Sequence, residues 1–390
     1  MRSLTLKFLI CLSAVVSLLT CVDPVESTIY SSLNVLVVDG TITDKAEPQL
    51  IRLSRSRADR LTGRFGYVPI TKASVQIVVD SVDVVIAPET TDGRYQLPAD
   101  FRGQVGHTYQ LRFTLSDGTR YESTPELLQP VAPIRQVRAL FNPTSLSATE
   151  RLANFYYPAA HDFYVDFTDP ADQTNYYRWD WMDWEHQDWC RTCSQGLYQI
   201  RDAQGHFIED CVPANSNFFT ATFDYNCRTA CWEILYSHDL VVFSDQNTNG
   251  NPVKGLRIGR VPLYSNDPCL VEIRQSSLTK KAYQFFNRLD EQTRALGGVA
   301  DSQPALLVGN VHQVARQNEP VVGYFTVSSV SAVRYWLTRN DAIGMGPGLF
   351  VALNGRGPVD EPQSVQGRPP LAVCVPSDTR TPVKPQGWQD

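Results

Sequence analysis

Gly106-His107-Thr108-Tyr109-Gln110-Leu111-Arg112-Phe113, followed by Thr114-Leu115-Ser116-Asp117-Gly118 and Thr119-Arg120-Tyr121-Glu122-Ser123, is the stretch that decides the fold. Tyr109, Leu111 and Phe113 alternate with Gln110 and Arg112, so a β-strand here would have one apolar and one polar face. Asp117-Gly118 is a turn dipeptide, which makes residues 106–123 a hairpin. Upstream the same grammar recurs in short units: Leu33 to Val38, Thr41 to Thr43, Leu50 to Leu53, Ala73 to Val79, Val82 to Ile86, and Tyr95 to Leu97 after the Asp92-Gly93 turn. Short strands at this spacing with no long helical pattern predict a β-sandwich over residues 33–125.

Residues 126–133 carry prolines at both flanks (Pro125, Pro130, Pro133) and read as a linker. A larger β-rich domain is expected over residues 134–345. Phe163 to Phe167, a turn at Asp169 to Asp172, and Asn175 to Trp181 suggest a second sandwich-like sheet. Leu240 to Phe243 and Leu256 to Val261 flank the loop 245–251, whose Asn249-Gly250 suits a hairpin turn. One helix is predicted over residues 278–296: Ala282, Tyr283, Phe286, Leu289 and Leu296 recur at helical spacing, Ser277 suits the start and Gly297 the end. Val321 to Val327 and Ala332 to Leu337 form an expected last β pair. Residues 346–390 read as a Gly/Pro-rich tail, poorly packed from Pro358. The fold class is mainly β, in two domains, as 390 residues exceed the roughly 250–300 that one core serves well.

A net charge of -6 without clustered Lys and Arg excludes a general nucleic-acid binder. No G-x-S-x-G elbow, H-E-x-x-H helix or phosphate-binding glycine loop is present, and the six histidines are scattered. Asp245 to Gly250 has oxygen-bearing residues at alternate positions, but the acidic ligand that an EF-hand loop needs six residues beyond its glycine is Leu256 here. No catalytic residues, cofactor or metal are therefore assigned. Trp179, Trp181, Trp184 and Trp189 are interleaved with Asp180, Asp183, Glu185, His186 and Asp188. Trp179 and Trp181 share one strand face and suit a core. Trp184 and Trp189, with Asp183 and Asp188, are the candidate binding surface, for a partner protein or a sugar ring.

Arg2 and Lys7 precede a charge-free, largely apolar run from Phe8 to Leu19, too short to span a bilayer and suited to a signal peptide over residues 1–20. Leu18-Leu19-Thr20-Cys21 resembles the lipobox of bacterial lipoproteins, which implies lipid on Cys21 and a tether over residues 21–32. Export changes how the remaining cysteines read. Cys190, Cys193, Cys211, Cys227, Cys231, Cys269 and Cys374 are disulfide candidates rather than zinc ligands, with one thiol left free or shared between chains and the connectivity open.

Gly40-Thr41-Ile42, Ala73-Ser74-Val75, Asp92-Gly93-Arg94-Tyr95 and Gly106-His107-Thr108-Tyr109 resemble the transthyretin-like sandwich of carboxypeptidase-regulatory modules. A wider resemblance rests on Val37 to Thr43, Asn175 to Trp179, Phe243-Ser244-Asp245, Asn287-Arg288-Leu289, Leu296-Gly297-Gly298, Gly309-Asn310-Val311 and Val322 to Val330. These are similar to a Bacteroidetes outer-membrane lipoprotein family, domain of unknown function 4249. The resemblance implies an exported outer-membrane lipoprotein, often encoded beside TonB-dependent transporters and with no established activity; the expected role is a binding or docking partner of such a transporter in nutrient uptake. The alternatives are a surface structural or adhesion protein, or a glycan binder or hydrolase. Asp23 and Glu26 resemble part of the acidic signals that send lipoproteins to the cell surface, and which leaflet faces the protein stays open.

Overall fold

The computed structural model describes residues 35–58, 65–147, 158–171, 173–201, 204–213, 222–294, 307–316, 319–362 and 369–390. The signal peptide, Cys21, the tether and Leu296 lie outside them. The protein is mainly β, with several sheets and few helices.

Two sheets bury the first core between them. One runs in the order Val321–Ser328, Leu36–Thr43, Leu50–Ala58, Arg94–Gln96, Glu89–Thr91, with Phe65–Pro69 also on Leu50–Ala58. The other runs Val311–Gln313, Arg120–Ser123, Thr108–Thr114, Ser74–Val79, Asp83–Ala87, with Glu126–Leu127 on Thr108–Thr114. The deciding hairpin forms as its pattern requires. Tyr109, Leu111 and Phe113 point inward, Phe113 stacks on Tyr121 at 5.0 Å, and Gly118 takes a φ of 84° at the turn. Tyr95 fills the interior while its hydroxyl donates to Ile70 O at 2.8 Å, satisfying its one polar atom.

The sandwich does not end at residue 125. The chain returns from its C-terminal half to add Val311–Gln313 to one sheet and Val321–Ser328 to the other. Val321–Ser328 runs parallel to Leu36–Thr43, in register from Leu36 opposite Val321 to Thr43 opposite Ser328. This pairing depends on Gly323, whose φ is 96° and whose absent Cβ would stand 1.9 Å from Val38 O. A Gly323→Ala variant should lose at least about 2 kcal/mol, from positive φ and the clash with a backbone that cannot rotate away. Denaturant titration of purified protein checks it; an unchanged midpoint would show that the parallel strand does not close the sandwich.

Residues 126–133 are built into this junction rather than strung across it. Glu126 is buried and its carboxylate accepts from the Tyr324 hydroxyl at 2.9 Å, Asn310 Nδ2 at 3.1 Å and the Thr279 hydroxyl at 2.6 Å. Three donors from separate segments satisfy an anion that could not otherwise leave water. Thr279 also caps helix α1, Lys280–Arg294, by accepting from Ala282 N at 3.3 Å. The helix thus starts two residues later than its pattern suggests. The expected cap, Ser277, is still in strand Cys269–Leu278, where its hydroxyl donates to Gln129 O at 2.7 Å. Tyr283 of α1 stacks on Tyr176 at 4.9 Å, and Phe285 lies 5.1 Å from Tyr324.

A second core lies between a three-stranded sheet, Ile134–Asn142, Ala160–Thr168, Pro252–Pro262, and a larger one. The larger sheet runs Val330–Leu337, Cys269–Leu278, Tyr176–His186, Trp232–Tyr236, Arg380–Thr381, with Val241–Ser244 on Tyr176–His186. Phe163, Val165 and Phe167 face Tyr177, Trp179 and Trp181 across it. Two expected hairpins are corrected by this layering. Residues 245–251 cross from one sheet to the facing one, since Val241–Ser244 and Pro252–Pro262 pair with different partners. Likewise Val321–Ser328 and Val330–Leu337 are not a pair. Only Ser329 separates them, and the chain passes there from the first sandwich to the second.

Among the described residues no helix is long and apolar enough to cross a membrane. The C-terminal stretch is packed, contrary to expectation. Leu349–Asn354 forms a short helix α2, Ala372 and Cys374 are buried, and Trp388 meets Trp336 at 5.0 Å and Trp232 at 5.8 Å.

Candidate functional site

Strand Tyr176–His186 organises both places where chemistry concentrates. Its pleat sends Tyr177, Trp179 and Trp181 into the second core, and the same parity sends Asp183 and Glu185 inward behind them. Trp184 points to the opposite face, where solvent was expected. That face is covered: Trp184 is 8% exposed, clusters with Trp232, Leu270, Trp336 and Trp388, and carries the Arg334 guanidinium 5.3 Å above its ring. Two of the four residues in the candidate binding surface, Asp183 and Trp184, are therefore interior.

Trp189 and Asp188 are the two that remain accessible. Asp188 is exposed and lies 3.3 Å from His186 Nδ1. Trp189 is half-buried, tilted against Phe350 of α2 at 5.7 Å, and lines a hollow of about 130 Å³ with Gln187, Arg191, Glu233 and Arg380. Arg380 is already engaged, donating to Glu233 Oε2 at 2.8 and 2.9 Å and to Cys190 O at 3.0 Å. The hollow is smaller than the roughly 300–1,000 Å³ of ligand pockets.

Beneath this hollow lies the cysteine-rich layer. Cys190 bonds to Cys227, Cys193 to Cys211, and Cys231 to Cys374. Six of the seven candidates pair, and the odd thiol is Cys269, free and fully buried. Its burial rules out a bridge between chains. Spacing alone did not exclude Cys269; its place at the start of an interior strand does.

Cys269 belongs instead to a buried polar cluster. It lies in the strand that pairs with Tyr176–His186, with its sulfur within 4.8 Å of carboxylate oxygens of Asp183 and Glu185. Arg339 enters from just past strand Val330–Leu337, in a left-handed conformation with φ 58°. Its guanidinium grips both Glu185 oxygens and donates to Ser265 O at 3.1 Å and Asp267 O at 2.9 Å. Side chains of Arg339 and Glu185 are 0% and 2% exposed. Asp183 has no such partner: neither of its oxygens is hydrogen-bonded, and Arg339 Nε is also unmatched. Burial pushes the Asp183 carboxyl well above the usual range, the Glu185 charge adds to this, and Arg339 opposes it. Burial likewise raises the Cys269 thiol, with Asp183 next in effect. A protonated, enclosed thiol is not a nucleophile at neutral pH.

The sequence held one signal for this cluster. The alternation that assigns Trp179 and Trp181 to one face assigns Asp183 and Glu185 to it as well. Arg339 had none, being 154 residues from Glu185.

No curated protein matches the chain significantly. The profile of a family described as Domain of unknown function (DUF4249) matches residues 22–334, most of the 390-residue chain, and the protein belongs to that family.

Proposed function

We propose that this protein is a lipid-anchored accessory protein of the outer membrane, held through Cys21, that docks on a TonB-dependent transporter in nutrient uptake. The leader ending at Cys21 supports the anchor. Three disulfides support an oxidising compartment such as the periplasm or cell surface. In this reading the N-terminal sandwich, which resembles carboxypeptidase-regulatory modules, is the docking unit.

The observation that carries docking is an apolar sheet edge. Among the described residues, strand Asp83–Ala87 is last in its sheet and pairs only with Ser74–Val79. Val82, Val84 and Ile86, at alternate positions on and beside it, are 78%, 54% and 66% exposed. Such an edge offers unpaired backbone groups together with an apolar stripe, the two elements that β-strand addition by a partner uses.

Purification from detergent-solubilised membranes tests this. The wild type should repeatedly bring down a TonB-dependent transporter, and Val84→Lys/Ile86→Lys should lose it at least tenfold while still incorporating lipid. A Cys21→Ser variant should lose the lipid label. Repeated purifications without a transporter would sink the proposal in favour of a structural or adhesive role.

A further inference from the structure

We infer that Asp183, Glu185 and Cys269 form a buried divalent-cation site, and that zinc is its ion. The inference is separate from the docking proposal and concerns the second core.

Three observations carry it. One carboxylate O from each of Asp183 and Glu185 and the Cys269 sulfur all lie within 4.8 Å of one another, and all three residues are buried. Small side-chain adjustments from that spacing would let a single ion reach all three donors. Asp183 is fully enclosed with both oxygens unmatched, although buried carboxylates ordinarily collect several donors. Its polar neighbours are the Cys269 thiol, a weak donor, and the Glu185 carboxylate, which offers none when ionised.

The third observation is the charge count. Ionised, Asp183 and Glu185 bring two negative charges, and Arg339 supplies one positive charge. A divalent ion that displaces the protons of Asp183 and Cys269 to solvent gives three negative charges against three positive, so the interior becomes neutral. Glu185 can serve both partners, because each carboxylate oxygen has two lone pairs and the Arg339 N–H groups use one on each. One sulfur and two oxygens suit zinc, which accepts thiolate and carboxylate and favours four donors, leaving one position for water. Cysteine triads elsewhere do not compete. The sulfurs of Cys190, Cys231 and Cys374 lie equally close together, but all are in disulfides. An enclosed site would take its ion during folding, so metal and stability would be linked.

The test is metal content and thermal stability of the full chain, produced with zinc in the medium. The expected result is about one zinc per chain, a melting temperature that falls when a strong chelator strips the ion, and recovery when zinc returns. Asp183→Asn and Cys269→Ser should each lower zinc at least tenfold and lose the response to chelator. With cobalt in place of zinc, a near-ultraviolet sulfur-to-cobalt charge-transfer band should appear in the wild type and be absent from Cys269→Ser. The opposite result is equally clear. If Asp183 merely holds a proton, the wild type will carry no stoichiometric zinc, chelator will not change its melting temperature, and Asp183→Asn will leave stability unchanged or raise it. Either the wild-type result alone or full zinc retention in Asp183→Asn would overturn the assignment.

Discussion

Replacing Cys231 and Cys374 together with serine is expected to cost about 5 kcal/mol, the largest effect of any change to the disulfides. The two residues are 143 positions apart, and a cross-link across so long a loop removes most from the entropy of the unfolded chain. Cys193 and Cys211 are only 18 apart, so the same reasoning gives about 3 kcal/mol for that bridge. The ordering of the two costs is the informative quantity. The long bridge also holds down the tail that covers Trp184. Without it, Trp388 still packs on Trp336 and Trp232, and Ile234 N still donates to Thr379 O at 2.7 Å. These contacts would then have to offset the ordering entropy of the tail unaided. Denaturant titration followed by tryptophan fluorescence should show a lower midpoint and a more solvated indole signal. Equal midpoints for the two bridge variants would contradict the loop-length argument.

Arg339→Met is the second large effect, at about 3–5 kcal/mol, the usual range when one partner of a buried ion pair is removed. Its cause is the company Arg339 keeps. Met fills a similar volume but leaves Glu185, next to a second buried acid in Asp183, without the guanidinium that pairs with it. The carbonyls of Ser265 and Asp267 lose their donor as well. Adding Glu185→Leu to Arg339→Met should restore much of the loss, because the double variant removes both charges together. The left-handed backbone at residue 339 is present in both arms of the cycle, so any strain from Met there cancels. A strictly additive double variant would show that Glu185 and Arg339 do not stabilise each other.

Much of the local architecture is legible in the sequence. The hairpin at 106–123, the strands upstream of it, the body of helix α1 and the core placement of Trp179 and Trp181 follow from side-chain alternation and turn chemistry. Those features depend on residues within a few positions of each other. The disulfide reading depended on composition and compartment, and for six cysteines the predicted chemistry is what the fold contains. What failed was always a question of which distant segment lies alongside. Val321–Ser328 and Val330–Leu337 look like a hairpin because only Ser329 separates them, yet each finds its partner in a different sandwich. Trp184 reads as part of a binding surface, and its cover comes from Trp388 and Arg334, which are far from it in sequence.

The amino-acid pattern alone therefore determined that this chain is mainly β, where its strands alternate and turn, and that its cysteine-rich segment favours disulfides. Those properties follow from backbone sterics and side-chain periodicity, which act between near neighbours. Tertiary structure decided that Val311–Gln313 and Val321–Ser328 complete the N-terminal sandwich, that Cys269 stays outside the disulfides, and that Asp183, Glu185, Cys269 and Arg339 share one buried space. Those outcomes turn on burial and pairing between residues up to 285 positions apart, as where Val321–Ser328 joins Leu36–Thr43, and no local spacing encodes which distant surface will exclude the water.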